Sequence, residues 1–297
     1  MTLKTPLVLD GGLSNVLEAR GWDLNHKLWT ARLIEEHPEA LVQAHKDYIN
    51  AGAEIISSAS YQATLPGLIE LGLSKEKARD LILKSIDLVT KAVQEAKPPQ
   101  EIKIAASIGP YGAYLADGSE YRGNYGVSDQ ELRDFHLEKI QILDASPADL
   151  LALETVPSYQ EALVLSEILK EAKTPSWISF SCKDGEHLND GTPIEELAKL
   201  FGGHEKVFAL GINCTKPEYI SGLISRMKPF IQDKQIIVYP NSGEAYNATS
   251  KTWIGISNPE DFATMTREWS NLGADIIGGC CRIGPEQIEK IRHGQAD

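Results

Sequence analysis

The chain has 297 residues, enough to bury a large core either as one large α/β barrel or as two smaller domains. Hydrophobic residues make up 42% and charged residues 24%, the balance of a soluble globular protein, and no apolar run approaches the about 18–20 residues of a membrane span. The net charge of −13 argues against nucleic acid and anionic membranes as partners. Four cysteines are too few for a disulfide framework, and the start, Met1 to Pro6, runs into a strand-like segment without a secretory hydrophobic region. The expectation is a cytoplasmic protein whose cysteines are reduced unless they hold metal.

Eight short apolar runs rich in Val and Ile follow one another: 7–12, 54–60, 103–109, 150–156, 177–182, 207–214, 235–243 and 274–281. Near-continuous apolar runs of this length predict strands of a parallel sheet buried on both faces. Helical patterns separate them. Ser128 with Glu131, Ser158 with Glu161, Thr192 with Glu195 and Thr215 with Glu218 have capping-box form, which gives those glutamates a structural job rather than a catalytic one. Pro193, Pro217 and Pro259 fall in the first turn of a predicted helix, where a missing N–H costs little. The alternation predicts a single (β/α)8 TIM barrel over residues 1–297, with a doubly wound open sheet as the competitor. Asp10-Gly11-Gly12 after the first run lacks the spacing of a dinucleotide site, and no Walker A sequence occurs.

In a barrel, residues ending the strands gather at one mouth. Here they are Asp10, Ser57, Ser58, Glu154, Cys214, Asn241, Cys280 and Cys281. Three thiols at strand ends can hold one soft metal ion and leave a coordination position free for a substrate. Thiolates suit zinc, whereas magnesium prefers oxygen. Cys280 and Cys281 can grip one ion only if the strand has ended, and Gly278-Gly279 is expected to ease that departure through glycine's conformational freedom. Core thiols and a strained vicinal disulfide are the alternatives for the pair. Cys182 is read as a core residue, and the histidines as surface or helix residues. A carboxylate ending Leu150-Leu151-Ala152-Leu153, as Glu154 does, is costly to bury without a partner, whereas Asp10 has a turn-shaping alternative. The long loop 109–126 is rich in Gly and Tyr. Its tyrosine faces suit a cation, with packing of the loop as the alternative. Asp117 and Glu120 in this loop are read as solvated charges rather than as ligands of the donor.

These motifs resemble the homocysteine S-methyltransferase family, in its short class that uses S-methylmethionine, over nearly the whole chain. The resemblance rests on Asp10-Gly11-Gly12, Ser60-Tyr61-Gln62-Ala63-Thr64, Ala106-Ser107-Ile108-Gly109-Pro110-Tyr111-Gly112, Glu154-Thr155, Ser179-Phe180-Ser181-Cys182, Gly211-Ile212-Asn213-Cys214, Tyr239-Pro240-Asn241-Ser242-Gly243 and Gly278-Gly279-Cys280-Cys281. It implies a (β/α)8 fold and a Zn2+ ion held by Cys214, Cys280 and Cys281. It also implies that Asp10 and Glu154 hold the amino group of homocysteine. Ser58 stands where related enzymes often have threonine near the substrate, and keeps the hydroxyl. The implied reaction is methyl transfer from a sulfonium to the homocysteine thiol, forming methionine. Rival expectations are selenocysteine or another thiol as acceptor, S-adenosylmethionine or betaine as donor, and a non-catalytic zinc-binding, thiol-sensing barrel.

Overall fold

A computed structural model describes residues 5–24, 28–243, 245–247, 252–254 and 259–293, so Met1 to Lys4 lie outside the described residues. Its strands are β1 (Leu7–Val8), β2 (Ile55–Ser57), β3 (Lys103–Ile108), β4 (Leu150–Val156), β5 (Ser176–Phe180), β6 (Val207–Asn213), β7 (Gln235–Tyr239), β8 (Ala245–Asn247), β9 (Thr252–Ile254) and β10 (Ile276–Ile277). Eight of them form one parallel sheet in the order β1-β10-β7-β6-β5-β4-β3-β2. A bridge between Leu9 and Ile55 joins the two ends, and the Asp10 N–H donates to the Ile55 carbonyl at 3.0 Å. The expected barrel is the fold. β8 and β9 pair antiparallel as a small hairpin after β7, which the spacing of apolar runs did not anticipate.

Alternation along the strands builds two cores. Inside the barrel, Leu9, Ile55, Trp177, Ile237, Tyr239 and Ile276 pack with Ala105, Ala152 and Ala209. Trp177 fits because alanines face it from the neighbouring strands, and its indole N–H donates to the Tyr239 hydroxyl at 3.0 Å. Between strands and helices lies the larger core, in which Cys182 is buried as expected. Among the described residues no helix is long and apolar enough to cross a membrane.

The helix starts behave unequally. Ser128 and Glu131 form a reciprocal capping box at the head of helix Asp129–Asp144. Ser158 accepts from the Glu161 N–H at 3.3 Å, but the Glu161 carboxylate turns elsewhere. The other two boxes do not form. Helix Ile194–Gly202 is capped at Pro193 and Glu195 pairs with Arg226 instead, at 2.9 Å. Helix Pro217–Met227 starts one residue later than expected, because the Thr215 hydroxyl donates to the Asn213 carbonyl and accepts from the Cys182 N–H, each at 2.9 Å. Competing partners near the barrel mouth take the capping hydroxyl away.

Candidate active site and thiol cluster

The C-terminal ends of the strands enclose a cavity of about 370 Å³, within the range of small-molecule sites. Of the expected mouth residues, Asp10, Ser57, Ser58, Glu154, Cys214, Cys280 and Cys281 line it, and Asn241 does not.

Asp10 follows β1. The Ser57 N–H donates to Oδ2 at 2.8 Å and the Ser57 hydroxyl to Oδ1 at 3.2 Å, so the end of β2 fixes the carboxylate. Burial pushes its pKa well above the ordinary value; the Ser57 bonds oppose this, and the nearby Glu154 adds to it. Glu154, on β4, accepts from the Ser107 hydroxyl and from Tyr239. Burial raises its pKa too, while those two bonds and the Lys139 charge pull it down. Ser58 is buried and holds Ser107 in turn: the Ser107 N–H donates to the Ser58 hydroxyl at 3.1 Å. Two buried acids facing one cavity favour a cationic group between them.

Lys139 approaches from the helix side. Its amine is buried and donates to the carbonyls of Ser60 at 2.7 Å and Tyr61 at 3.1 Å, which fixes the loop after β2. Burial lowers its pKa to about 7, with Glu154 opposing.

The Glu154-Thr155 step is bent. Thr155 has φ 64° and the β4–β5 register shifts between Leu153 and Val156. A β-branched residue at positive φ is an outlier that costs about 1–3 kcal/mol and persists where neighbours enforce it. Asn213 enforces it: Oδ1 accepts from the Thr155 N–H at 2.8 Å and from Ser179 at 2.9 Å, and Nδ2 donates to the Thr155 hydroxyl at 2.7 Å. The next residue, Cys214, also lies at positive φ, 46°. One asparagine therefore braces the turn after Glu154 and immediately precedes the first cysteine.

The remaining cysteines follow β10. Gly278 and Gly279 are needed for close approach, not for unusual dihedrals: neither has positive φ. A Cβ on Gly278 would meet the Asp10 carbonyl at 2.7 Å, and one on Gly279 would collide with the Ile283 side chain. The expected reason for the glycines was conformational freedom; the reason found is crowding against β1 and the following turn. The three Sγ atoms of Cys214, Cys280 and Cys281 lie within 4.8 Å of one another. Cys214 and Cys280 are linked as a disulfide and Cys281 is a free thiol. The pairing is across two strand ends, not the vicinal one weighed from the sequence. Reduced, the cluster offers three soft donors from two strand ends, a set that fits a thiophilic metal with a position left open.

The tyrosines of loop 109–126 divide. Tyr111 and Tyr114 pack against Phe135 and Tyr125 packs against Tyr111, while Tyr125 and Tyr114 donate to Glu161 and Glu70. Tyr121 lines the cavity with Tyr61 and hydrogen-bonds Cys281. Asp117 is the solvated charge expected, paired with Arg122 at 3.1 Å. Glu120 is not: it is half-buried, lines the cavity, and has its carboxyl raised by burial. Ser107, Tyr239, Asn213 and Lys139 were also missed. Their signal in the sequence was a polar group at a position where strand or helix periodicity calls for an apolar one.

Barrel and mouth together define a (β/α)8 enzyme whose cavity joins a three-cysteine metal-type cluster to a pair of buried acids. The family model for homocysteine S-methyltransferase matches residues 7–294, and the chain belongs to that family of methyltransferases. It is 46% identical over 293 residues to homocysteine S-methyltransferase YbgG of Bacillus subtilis (strain 168), covering 96% of this chain and 93% of that one. It is 43% identical over 303 residues to a selenocysteine Se-methyltransferase of Brassica oleracea var. italica, covering 96% and 87%. The metallated form of the homocysteine methyltransferase MmuM from Escherichia coli superimposes with a TM-score of 0.87 at 39% identity, covering 97% and 96%.

Proposed function

We propose that this protein transfers a methyl group from a sulfonium donor, S-methylmethionine, to the thiol of L-homocysteine, with Zn2+ held by Cys214, Cys280 and Cys281. The observation that carries the proposal is one cavity lined by both the cysteine cluster and the two acids. When bound to three thiolates, zinc lowers the pKa of a substrate thiol, which is otherwise mostly protonated at neutral pH. Asp10 and Glu154 hold the substrate ammonium, each kept in place by a hydroxyl donor, Ser57 and Ser107. Ser58 acts through Ser107. That grip orients the acceptor sulfur, and orientation is a large part of the rate gain in such transfers. The acceptor sulfur loses its proton to solvent and its lone pair forms the new S–CH3 bond. The donor C–S bond breaks, and its electron pair stays on the donor sulfur, leaving a neutral thioether. With S-methylmethionine both products are methionine.

The chain acts in this proposal as one barrel on small molecules in the cytoplasm, where a reducing environment keeps three thiols available. Its charge of −13 supports the absence of nucleic-acid or membrane partners. The 43% identical selenocysteine Se-methyltransferase supports a second acceptor, selenocysteine, in the same site. The test is elemental analysis of the reduced protein, with a panel of S-methylmethionine, S-adenosylmethionine and betaine at fixed homocysteine, repeated after chelation. The expected result is one zinc per chain and methionine formed from S-methylmethionine, with activity lost on chelation and restored by zinc. Zinc without turnover on any donor supports a thiol-sensing barrel, and full activity without metal overturns the proposal.

A further inference from the structure

β4 carries Glu154 and β6 ends next to Cys214, yet the two strands are not neighbours, since β5 runs between them. The sheet positions one of these ends and releases the other. On β6 the pairing with β7 is regular up to Asn213, which stands opposite Tyr239. On β4 the pairing with β5 passes from Leu153 opposite Ile178 to Val156 opposite Phe180, with a shift of register between them. Glu154 and Thr155 fall in that gap, so the ladder does not set where the acid points.

A side chain from β6 takes over that task. Asn213 is buried, and its amide reaches across β5. Oδ1 accepts from the Thr155 N–H on β4 and from the Ser179 hydroxyl on β5, while Nδ2 donates to the Thr155 hydroxyl. A flipped amide would set one N–H donor against another, so the Thr155 backbone fixes its orientation. The ends of three strands are thus joined by one residue. Its main chain meanwhile holds the cysteine. The Asn213 carbonyl accepts from the Thr215 hydroxyl across Cys214, and the Cys214 N–H donates to the Tyr239 carbonyl at 3.3 Å. Thr155 and Cys214 are both at positive φ, 64° and 46°. Strain at two points that share one brace marks a spacing that the fold holds against local preference.

We propose that Asn213 is a positioning residue that fixes the separation between the two ends of the site, the acid at Glu154 and the sulfur at Cys214, so that one ligand carrying an amine and a thiol engages both at once. This rests on the methyl-transfer proposal above, in which homocysteine is that ligand. Binding at two points is strong because the second contact is intramolecular, and that advantage is lost when the spacing drifts. A ligand that holds only one end is indifferent to the spacing.

The test compares three ligands on the reduced, zinc-loaded protein: homocysteine, γ-mercaptobutyrate, which lacks the amine, and norvaline, which lacks the thiol. In Asn213→Ala the calorimetric Kd of homocysteine is expected to rise at least about tenfold, as for loss of a group that orients the ligands of a metal site. Kd for the two single-ended ligands and zinc content should stay at wild-type values. Glycine adopts positive φ without strain, so adding Thr155→Gly to Asn213→Ala should restore part of the homocysteine affinity. Homocysteine bound as tightly as by wild type, equal weakening of all three ligands, loss of zinc, or no recovery with Thr155→Gly overturns the assignment of Asn213. Should Asn213→Ala fail to fold, Thr155→Val, which removes the hydroxyl contact alone, takes its place. A homocysteine Kd raised about threefold or more, with the single-ended ligands unchanged, then supports the assignment, and an unchanged Kd overturns it. Wild type that binds homocysteine but forms no methionine from any sulfonium overturns the methyl-transfer proposal, and the same affinities still decide Asn213. Wild type that does not bind homocysteine overturns both.

Discussion

Glu154 and Glu161 lie seven positions apart in one strand–helix unit, and both are buried, yet they are opposite in kind. Glu161 accepts from the Tyr111 N–H at 2.6 Å, from the Tyr125 hydroxyl at 2.9 Å and pairs with His136 at 2.7 Å. Three protein donors satisfy it and tie loop 109–126 to helix Asp129–Asp144. Glu154 receives hydroxyls only, lies beside another acid and faces the cavity. Burial does not distinguish a structural acid from a functional one. What distinguishes them is the acceptor capacity left over, and whether it faces an open space.

The largest effect that would test this contrast is on stability. Glu161→Ala strands His136 and the Tyr125 hydroxyl in the interior, and breaking a buried pair from one side costs about 3–5 kcal/mol. Urea unfolding should show that loss, while the homocysteine KM of the folded fraction stays unchanged. Glu154→Gln should do the reverse. Removing one charge from a buried charge-pair contact costs about 2–5 kcal/mol, so homocysteine KM should rise by roughly 30- to 5000-fold while zinc content and the urea midpoint hold. A Glu154→Gln enzyme with wild-type KM removes Glu154 from the substrate site.

Much of this contrast was legible beforehand. Apolar runs recurring between capping signals carry the barrel, because a parallel sheet covered on both faces must be apolar throughout. Glu154 stood out for the same reason, as a charge closing an otherwise apolar strand. Glu161 did not, since Ser158-x-x-Glu161 is as good a capping box as Ser128-x-x-Glu131, and only the tertiary neighbours His136 and Tyr125 divert it. Lys139 hid differently. Leu132, Phe135, His136, Lys139, Ile140 and Leu143 form one buried helical stripe, so the pattern signalled a polar residue in the core. The partners of Lys139, two carbonyls 78 and 79 positions away, were beyond any local pattern. The Thr155 turn and its Asn213 brace were invisible for the same reason.

Lys139 sharpens the contrast, because it acts on Glu154 through its charge, whereas Glu161 has direct donors. Its pKa falls from 10.5 to about 7 in the fold, through burial. Between those values the unfolded chain binds the extra proton, so this residue makes stability rise with pH across the window; below about 7 both states are charged and the cost of burying the ammonium is borne in full. Lys139→Met should therefore flatten the rise of the urea midpoint between about pH 7 and 9.5. An unaltered slope would mean that the amine is not desolvated as described.

The smallest effect separates the two capping serines. Ser128 is exposed, and water can take over the Glu131 N–H when its hydroxyl is removed. Ser128→Ala should cost about 1 kcal/mol, the usual value for an N-cap, or roughly 2 °C in Tm. Ser158 is buried, and its hydroxyl is the acceptor for the Glu161 N–H. With no water to replace it, Ser158→Ala should cost more, about 1–3 kcal/mol. The same substitution in the same motif then has two prices, set by what surrounds each helix start. Equal shifts in Tm for the two variants would show that the Ser158 end is as wet as the Ser128 end.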